Sequence, residues 1–362
     1  MKKIILIVMT LAILLSVATA CRQNRSTATR NQDGLINIVT TIFPAYDFVR
    51  QIAGDRVNLT MLLSPGAESH SFEPSPRDII TIMSSDIFIY TGESEQWIER
   101  ILLSMNTDEM TIFAMMNVVG LVRKEIVDEP CHECDDQDCA HDHGHEHSHD
   151  HGHGHGHGHS HGHGHAHGYG YAYGHAHSHG HEVHTCALFD EHVWTSPGNA
   201  ILIVRAITEL LSEADPNNAA FFQQNAAAYI KELQQLDAAF SEVVANAKRR
   251  TIVFADRFPF RHFVDAYSLT HYAAFTGCST ETEPSAGTVA FLINKIRTEQ
   301  IPVVFHIELS NERMADAISA ETGAKKRLLH SVHNVSRRDF EAGLGYLELM
   351  RRNVETLREA LN

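Results

Sequence analysis

Short apolar runs alternate with amphipathic segments in the first third of the chain. Three runs have the β-branched and aromatic character of strands, and two segments with helical spacing lie among them. The predicted strands are 36–42, 57–63 and 87–91, and the predicted helices are 45–53 and 76–84. Strands that alternate with helices favour βαβ units, so we expect a lobe built on a parallel sheet.

The same alternation returns after residue 250. The predicted strands there are 251–254, 270–275 and 303–307, and the predicted helices are 260–267, 287–299, 311–322 and 340–361. This second series predicts another α/β lobe with a parallel sheet.

Two consecutive helices are predicted between the two series. Ser196-Pro197-Gly198 opens a helix that runs through Leu211, and Asp215-Pro216 supplies an N-cap and a first-turn proline for a second helix ending near Lys248. The apolar residues of the second helix share one face: Tyr229, Leu233, Leu236, Phe240, Val243 and Ala247. Roughly thirty helical residues extend about 45 Å. The pattern therefore predicts an α/β fold of two lobes joined by one long rigid helix.

The segment between Cys131 and His184 breaks this pattern. It holds twenty of the 27 histidines, many in alternation with Gly or Ser. Neutral imidazole suits zinc, copper and nickel, and so glycine-rich a segment cannot bury a core. We expect a disordered insertion that collects metal ions, or else an inconsequential surface loop. Its accessory ligands would be His141, His143, His145, His147, His149, His151, His153, His155, His157, His159, His161, His163 and His165.

The six cysteines allow two further features. Cys131, Cys134 and Cys139 form a cluster that could add a tighter thiolate site, but no second Cys/His pair at zinc-finger spacing completes it. Cys186 and Cys278 form a possible disulfide, because an exported chain meets an oxidising environment.

The N-terminus has the features of a secretory signal. Two lysines precede an apolar run from Ile4 to Leu15, and Ala18-Thr19-Ala20 stands before Cys21. We expect lipid attachment at Cys21 and a lipid-anchored protein on the extracytoplasmic face of the cell membrane. Simple cleavage, which would give a periplasmic protein, is the alternative.

These segments define the expected domain organisation. The boundaries are 1–20 for the signal peptide, 21–34 for a polar tether, 35–130 for the N-terminal lobe, 131–184 for the His-rich loop, 185–214 for the end of the N-terminal lobe, 215–249 for the linking helix and 250–362 for the C-terminal lobe. The formal net charge of −16 argues against a nucleic-acid partner. We expect a monomer.

Two isolated histidines lie in polar segments at the edges of predicted elements. His70 lies between Ser64 and Pro76, after a predicted strand, and His192 lies between Asp190 and Pro197, before a predicted helix. Ligands of open α/β sheets bind beyond the carboxyl ends of strands. A lone loop histidine is more often structural, but the metal-collecting loop favours metal binding by both.

These two segments resemble those of the zinc and manganese receptors of bacterial ABC transporters, the ZnuA-like substrate-binding lipoproteins. The likeness extends from about Ile36 to Leu361 and includes a histidine-rich insertion before the second segment. The resemblance implies a cluster A-I type fold in which His70 and His192 hold the metal between two lobes.

The third family ligand is a His or Glu at a strand end, and this sequence departs from the family there. The best-matching position is Ala255, so the neighbouring Asp256 is the expected ligand. An ion pair between Asp256 and Arg257 is the alternative.

The last family ligand matches His330, which we prefer to His333. His306 and Glu308 close the predicted strand 303–307 and are less certain candidates, because alternation sends both to one face and at most one reaches the ion. His262 and His271 lack such placement, and we interpret them as structural or surface residues.

A set of three histidines and one carboxylate favours Zn²⁺ over Mn²⁺ as the transported ligand. The resemblance implies capture of zinc and delivery to an ABC permease and its ATPase, without enzymatic activity. The alternatives are a manganese receptor of the same family and a zinc-buffering or storage protein whose loop is the main site. A zinc hydrolase is disfavoured because the chain has no His-Glu-x-x-His motif.

Overall fold

The first lobe is built on a four-stranded parallel sheet in the order β2-β1-β3-β4. The computed structural model describes residues 34–68, 72–92, 95–123, 189–275 and 284–362. The elements of the first lobe are β1 (Ile36–Thr40), α1 (Phe43–Ala53), β2 (Val57–Met61), α2 (Pro76–Met83), β3 (Ile87–Tyr90), α3 (Gln96–Ser104) and β4 (Thr111–Ala114), followed by a 3-10 turn, Met115–Val118.

Two helices connect the lobes. A 3-10 turn, Val193–Thr195, leads into α4 (Pro197–Ala214), and the long helix α5 (Ala219–Ala245) follows. Ser196 starts α4 because its side chain accepts a hydrogen bond from the Asn199 amide, and Pro197 occupies the first turn, where no amide donor is needed.

The second lobe repeats the parallel arrangement, in the order β6-β5-β7-β8. Its elements are β5 (Thr251–Phe254), α6 (Arg261–Tyr267), β6 (Thr270–Ala273), α7 (Ala286–Glu299), β7 (Val303–His306), α8 (Arg313–Thr322), β8 (Lys325–Leu328), α9 (Arg337–Glu341) and α10 (Tyr346–Leu361). The predicted architecture of two parallel-sheet lobes and a long helix is confirmed.

The long helix begins later than predicted. Asp215 was expected to cap it, but Asp215 ends α4 instead, and its carboxylate accepts a hydrogen bond from the Asn218 side chain at 2.6 Å. The α5 helix therefore starts at Ala219, and its 27 residues correspond to about 40 Å.

The predicted helix 340–361 is two helices. Gly343, with a φ of 74°, ends α9, and Gly345 caps α10. A Cβ atom on Gly345 would lie 2.8 Å from Asp47 Oδ2, and the next amide, of Tyr346, donates to that oxygen at 2.7 Å. The break thus docks the start of α10 onto α1.

One apolar core runs through both lobes. Phe48 of α1 and Phe240 of α5 belong to the same buried cluster as Phe254 of β5 and Tyr346 of α10. The Tyr346 hydroxyl also donates to the Trp194 carbonyl at 2.7 Å. The lobes therefore meet across a packed interior. Among the described residues, no helix is both long and apolar enough to span a bilayer.

Candidate metal site

His192 is fully buried at the entrance to α4. Its Nδ1 lies 3.1 Å from Asp190 Oδ1, and its backbone amide donates to the same oxygen at 2.9 Å. Because a carboxylate only accepts, Nδ1 carries the ring proton and Nε2 keeps a lone pair suited to a metal ion. The Glu191 Oε1 atom lies 3.7 Å from that Nε2.

The charge of Asp190 is supported by its surroundings. Burial alone would raise the pKa of the Asp190 carboxyl, but attraction to His192 and the hydrogen bonds from His192 outweigh burial and lower it. A carboxylate that accepts a hydrogen bond from the other ring nitrogen is one of the usual partners of a histidine that binds zinc.

His333 is the histidine that the structure brings to His192. Their ring centroids are 5.3 Å apart, with the rings nearly perpendicular. The buried Trp194 ring contacts both, at 5.5 Å from His192 and 5.0 Å from His333. The Trp194 indole also donates to the Ser331 carbonyl at 2.8 Å. One histidine from each lobe therefore meets at a shared aromatic wall.

A tight turn directs His333 into this position. Val332, between Ser331 and His333, has a φ of 59°, which a β-branched residue rarely adopts. Glu308, just beyond β7, holds the turn by accepting from the Ser331 hydroxyl at 2.6 Å and from its amide at 2.7 Å. Burial raises the pKa of the Glu308 carboxyl, although the bonds from Ser331 and His333 oppose this shift.

Glu308 and His333 line a cleft together with residues of the first lobe. Ala67 and Glu68 contribute from that side, and Arg257 Nη1 lies 3.6 Å from Glu68 Oε1. His70 follows Glu68 by two positions in the sequence but lies outside the described residues.

Asp256 is bonded to the main chain at the end of β5. Its Oδ2 accepts from the Ile307 amide at 3.1 Å, and its Oδ1 accepts from the Arg257 amide at 2.8 Å. The bond from Ile307 ties the end of β5 to the end of β7. The carboxylate thereby supports the strand edge from which Glu308 projects.

His330 and His306 line a neighbouring cavity with Glu312 and Asp339. Burial, followed by the charge of Arg352, lowers the pKa of His330 to about 4. His330, three residues before His333, lines this neighbouring cavity, which shares Glu308 and Asn334 with the cleft lined by His333.

His262 is buried between the two lobes, whereas His271 stacks on Phe258 with ring centroids 3.7 Å apart. His262 Nε2 lies 3.1 Å from the Asp190 carbonyl oxygen. Burial lowers the pKa of His262 more than its contacts with Asp190 raise it, which favours the neutral ring. The sequence identified His262 only as a structural or surface residue, because nothing along the chain links it to Asp190, 72 residues away.

Three or more His, Cys, Asp or Glu side chains that could hold a metal ion are not found together among the described residues. The described residues thus place His192 beside His333, and His333 lines the cleft. The His-rich loop, Cys21, Cys131, Cys134, Cys139, Cys186 and Cys278 lie, like His70, outside the described residues.

Comparison with known proteins assigns the family. Residues 38–360 match the family model described as zinc-uptake complex component A, periplasmic. The chain belongs to this family. The description of this family, as a component of a zinc-uptake complex, agrees with the resemblance that the segments around His70 and His192 indicate.

Zinc-binding relatives cover nearly the whole chain. The zinc-binding lipoprotein AdcA of Streptococcus pneumoniae (strain ATCC BAA-255 / R6) is 31% identical over 99% of this chain and 61% of its own length. The high-affinity zinc uptake system protein ZnuA of Bacillus subtilis (strain 168) is 27% identical over 95% of this chain and 94% of its own length. The chain spans about three-fifths of the streptococcal relatives that it matches.

The solved structures agree with the fold. The Zn(II)-bound ZnuA-like domain of Streptococcus pneumoniae AdcA aligns with a TM-score of 0.65 and 27% identity, over 91% of this chain and 99% of that domain. The metal-dependent lipoprotein YcdH from Bacillus subtilis aligns with a TM-score of 0.66 and 23% identity, over 90% of this chain and 100% of that protein.

Proposed function

We propose that this chain captures Zn²⁺ in the cleft between its lobes and delivers it to an ABC permease driven by an ATPase. The observation that carries the proposal is the pairing of His192 and His333, one from each lobe, with ring centroids 5.3 Å apart. His192 presents Nε2 because its Nδ1–H donates a hydrogen bond to Asp190. Two neutral imidazoles are a donor set that suits zinc better than manganese.

The proposed ligands are His70, His192 and His333. His70 follows a segment, ending in Glu68, that lines the same cleft as His333. Glu308 is the carboxylate nearest to the His333 turn and is a candidate for the fourth position. In this proposal Asp256 supports the cleft through its two backbone bonds rather than binding the ion.

Trp194 provides a signal specific to the cleft in the full-length chain. The chain has two tryptophans, so Trp97→Phe leaves Trp194, beside both histidines, as the sole reporter. A titration with zinc, in which a chelator sets the free zinc concentration, should change the fluorescence of Trp194. His192→Asn keeps a donor for Asp190 but removes Nε2 and should abolish this change. An unaltered titration in that variant would refute the cleft site.

His333→Gln and His330→Gln form a matched pair that tests the choice of the third ligand. Loss of a direct ligand should weaken zinc binding by more than roughly a hundredfold, because loss of an outer partner alone costs about 10–100-fold. We expect this loss for His333→Gln, with His330→Gln close to wild type. The reverse result would make His330 the ligand.

The His-rich loop is proposed to collect ions for the cleft and raise their local concentration. Deleting residues 131–184 should remove the zinc ions that bind more weakly. The response of Trp194 fluorescence to zinc should remain, with zinc still preferred over manganese. Loss of the tight equivalent with the loop would favour a storage protein. Manganese preference in the deleted chain would favour a manganese receptor.

The lipid anchor at Cys21, the extracytoplasmic location, the monomeric state and the absence of enzymatic activity belong to the same proposal. The anchor and the location are supported by the signal-like N-terminus and by relatives named as zinc-binding lipoproteins. Metabolic labelling with a fatty acid should modify the wild type and not Cys21→Ser.

A further inference from the structure

The main chain around Asp190 is bonded on both sides. Its amide donates to the Val122 carbonyl at 2.8 Å, and its carbonyl oxygen lies 3.1 Å from His262 Nε2. Its carboxylate accepts from the amide and Nδ1 of His192. The direction of the His192 ring is therefore set by a residue that is itself held at several points.

The chemistry of these contacts fixes the protonation of His262. A carbonyl oxygen only accepts, so Nε2 of His262 must donate. In the neutral ring Nδ1 is then an acceptor, and it lies 3.2 Å from the Nδ2 amide of Asn199, a donor in the first turn of α4. Hydrogen bonds therefore run from Asn199 through His262 to Asp190 and, through its carboxylate, to His192.

This chain of bonds crosses between the lobes. His262 lies in the first turn of α6 in the second lobe, whereas Asp190, His192 and Asn199 belong to the segment that completes the first. Asp190, His192 and His262 are all buried, so a lost bond among them would not readily be replaced by water.

We infer that His262 is a positioning residue that fixes the metal ligand His192 through the Asp190 main chain. This role deepens the proposed function, since it requires His192 to bind zinc. His262 makes no direct bond to His192 among these contacts. Its effect on zinc is exerted through the orientation of the Asp190–Glu191 peptide and of the carboxylate that accepts the hydrogen bond from His192 Nδ1.

Two amide substitutions separate this role from simple packing. His262→Gln places a donor near the position of Nε2 and keeps the bond to Asp190. His262→Asn places its polar atoms near Nδ1, so that it keeps the Asn199 contact but loses the Asp190 bond. Both variants are neutral and polar.

The measurement is zinc affinity from Trp194 fluorescence in the full-length Trp97→Phe chain, with the zinc concentration set by a chelator. We expect His262→Asn to weaken binding by about 10–100-fold, the range for partners of metal ligands, and His262→Gln to stay within about threefold. Unfolding of both variants is measured without metal. Equal affinities in the two variants, or losses that follow only their unfolding free energies, would overturn the inference.

Asn199→Ala provides a second variant if His262→Asn does not fold. It removes the donor to His262 Nδ1, and zinc affinity should fall several-fold; unchanged affinity would contradict the proposed chain of bonds. His192→Asn separates the two proposals. If His192→Asn abolishes the signal while His262→Asn binds normally, the positioning role fails and the zinc site stands. If His192→Asn binds normally, the zinc site itself fails.

Discussion

His330 should make the metal-free protein sensitive to acid. Its folded-state pKa is lowered to about 4 by burial and by Arg352, whereas an unfolded histidine titrates near 6.5. Below pH 6.5 the unfolded chain therefore takes up a proton that folded His330 resists. The associated stability is fully present above pH 6.5 and is lost as the pH falls toward 4.

His330→Gln removes this titration. Between pH 7 and 4, wild type should lose up to about 3 kcal/mol more unfolding free energy than the variant. Chemical denaturation at a series of pH values, with a metal chelator present, measures the difference. Parallel pH profiles for the two proteins would contradict the assignment of the lowered pKa.

At the residue scale, the candidate metal-binding histidines could be identified from the sequence, but the residues that they contact in the fold could not. His70, His192 and His333 were all named as candidates from their segments, but the choice between His330 and His333 depends on the left-handed Val332. Nothing in the spacing reveals that conformation. Likewise, the roles of Asp190 and His262 arise from a contact between residues distant in sequence.

At the element scale, the inner strands of both described sheets were predicted, whereas two of the four edge strands, β4 and β8, were missed. Strand β5 was predicted with the bounds observed, and its last three residues are buried. Strand β8 has the sequence Lys-Lys-Arg-Leu at the edge of its sheet, where Lys326 pairs with Glu312 and Arg327 with Glu359. Charged side chains on an edge strand discourage its pairing with strands of other molecules. The same charges remove the alternating apolar pattern by which a strand is predicted from the sequence. Strand β4, also at an edge, was missed together with α3.

The loop after β2 should depend on Asn334 of the second lobe. The Asn334 side-chain amide donates to the Ser64 carbonyl at 2.9 Å and to the Ala67 carbonyl at 2.8 Å. Gly66 adds a bond from its amide to the Val335 carbonyl at 2.8 Å. These bonds hold the segment that leads to His70 against the turn that carries His333.

Asn334→Ala should therefore lower both stability and zinc affinity. Loss of two partly buried hydrogen bonds is expected to cost about 1–3 kcal/mol of unfolding free energy. Asn246→Ala is the matched control, because the exposed Asn246 amide donates to one helix carbonyl, of Glu242, at 3.0 Å. That variant should lie within about 0.5 kcal/mol of wild type and bind zinc normally. Unaltered zinc binding in Asn334→Ala would show that this loop contact does not support the site.

At the scale of the whole molecule, the shared core argues against two independently folding lobes. The long helix α5 packs against α4 and α1 and against α10, which follows the second sheet in the chain. Phe240 of α5 lies edge-on to Phe263 of α6, with ring centroids 4.9 Å apart, and Phe48 of α1 meets Tyr346 of α10 at 5.1 Å. Separating the lobes would expose these rings together.

We therefore expect the metal-free chain to unfold in one cooperative transition. Far-ultraviolet circular dichroism reports the helices of both lobes, whereas Trp194 fluorescence in Trp97→Phe reports the junction between them. Their denaturation midpoints should coincide, as in two-state unfolding. Free zinc at about 100 times its dissociation constant should raise the unfolding free energy by about 2.7 kcal/mol, because it binds only the folded form. Both midpoints should therefore move to higher denaturant concentration together. A circular dichroism transition that continues after the Trp194 signal is lost would mean that one lobe stays folded without the other. The two lobes would then not hold the ligands of the cleft in fixed positions.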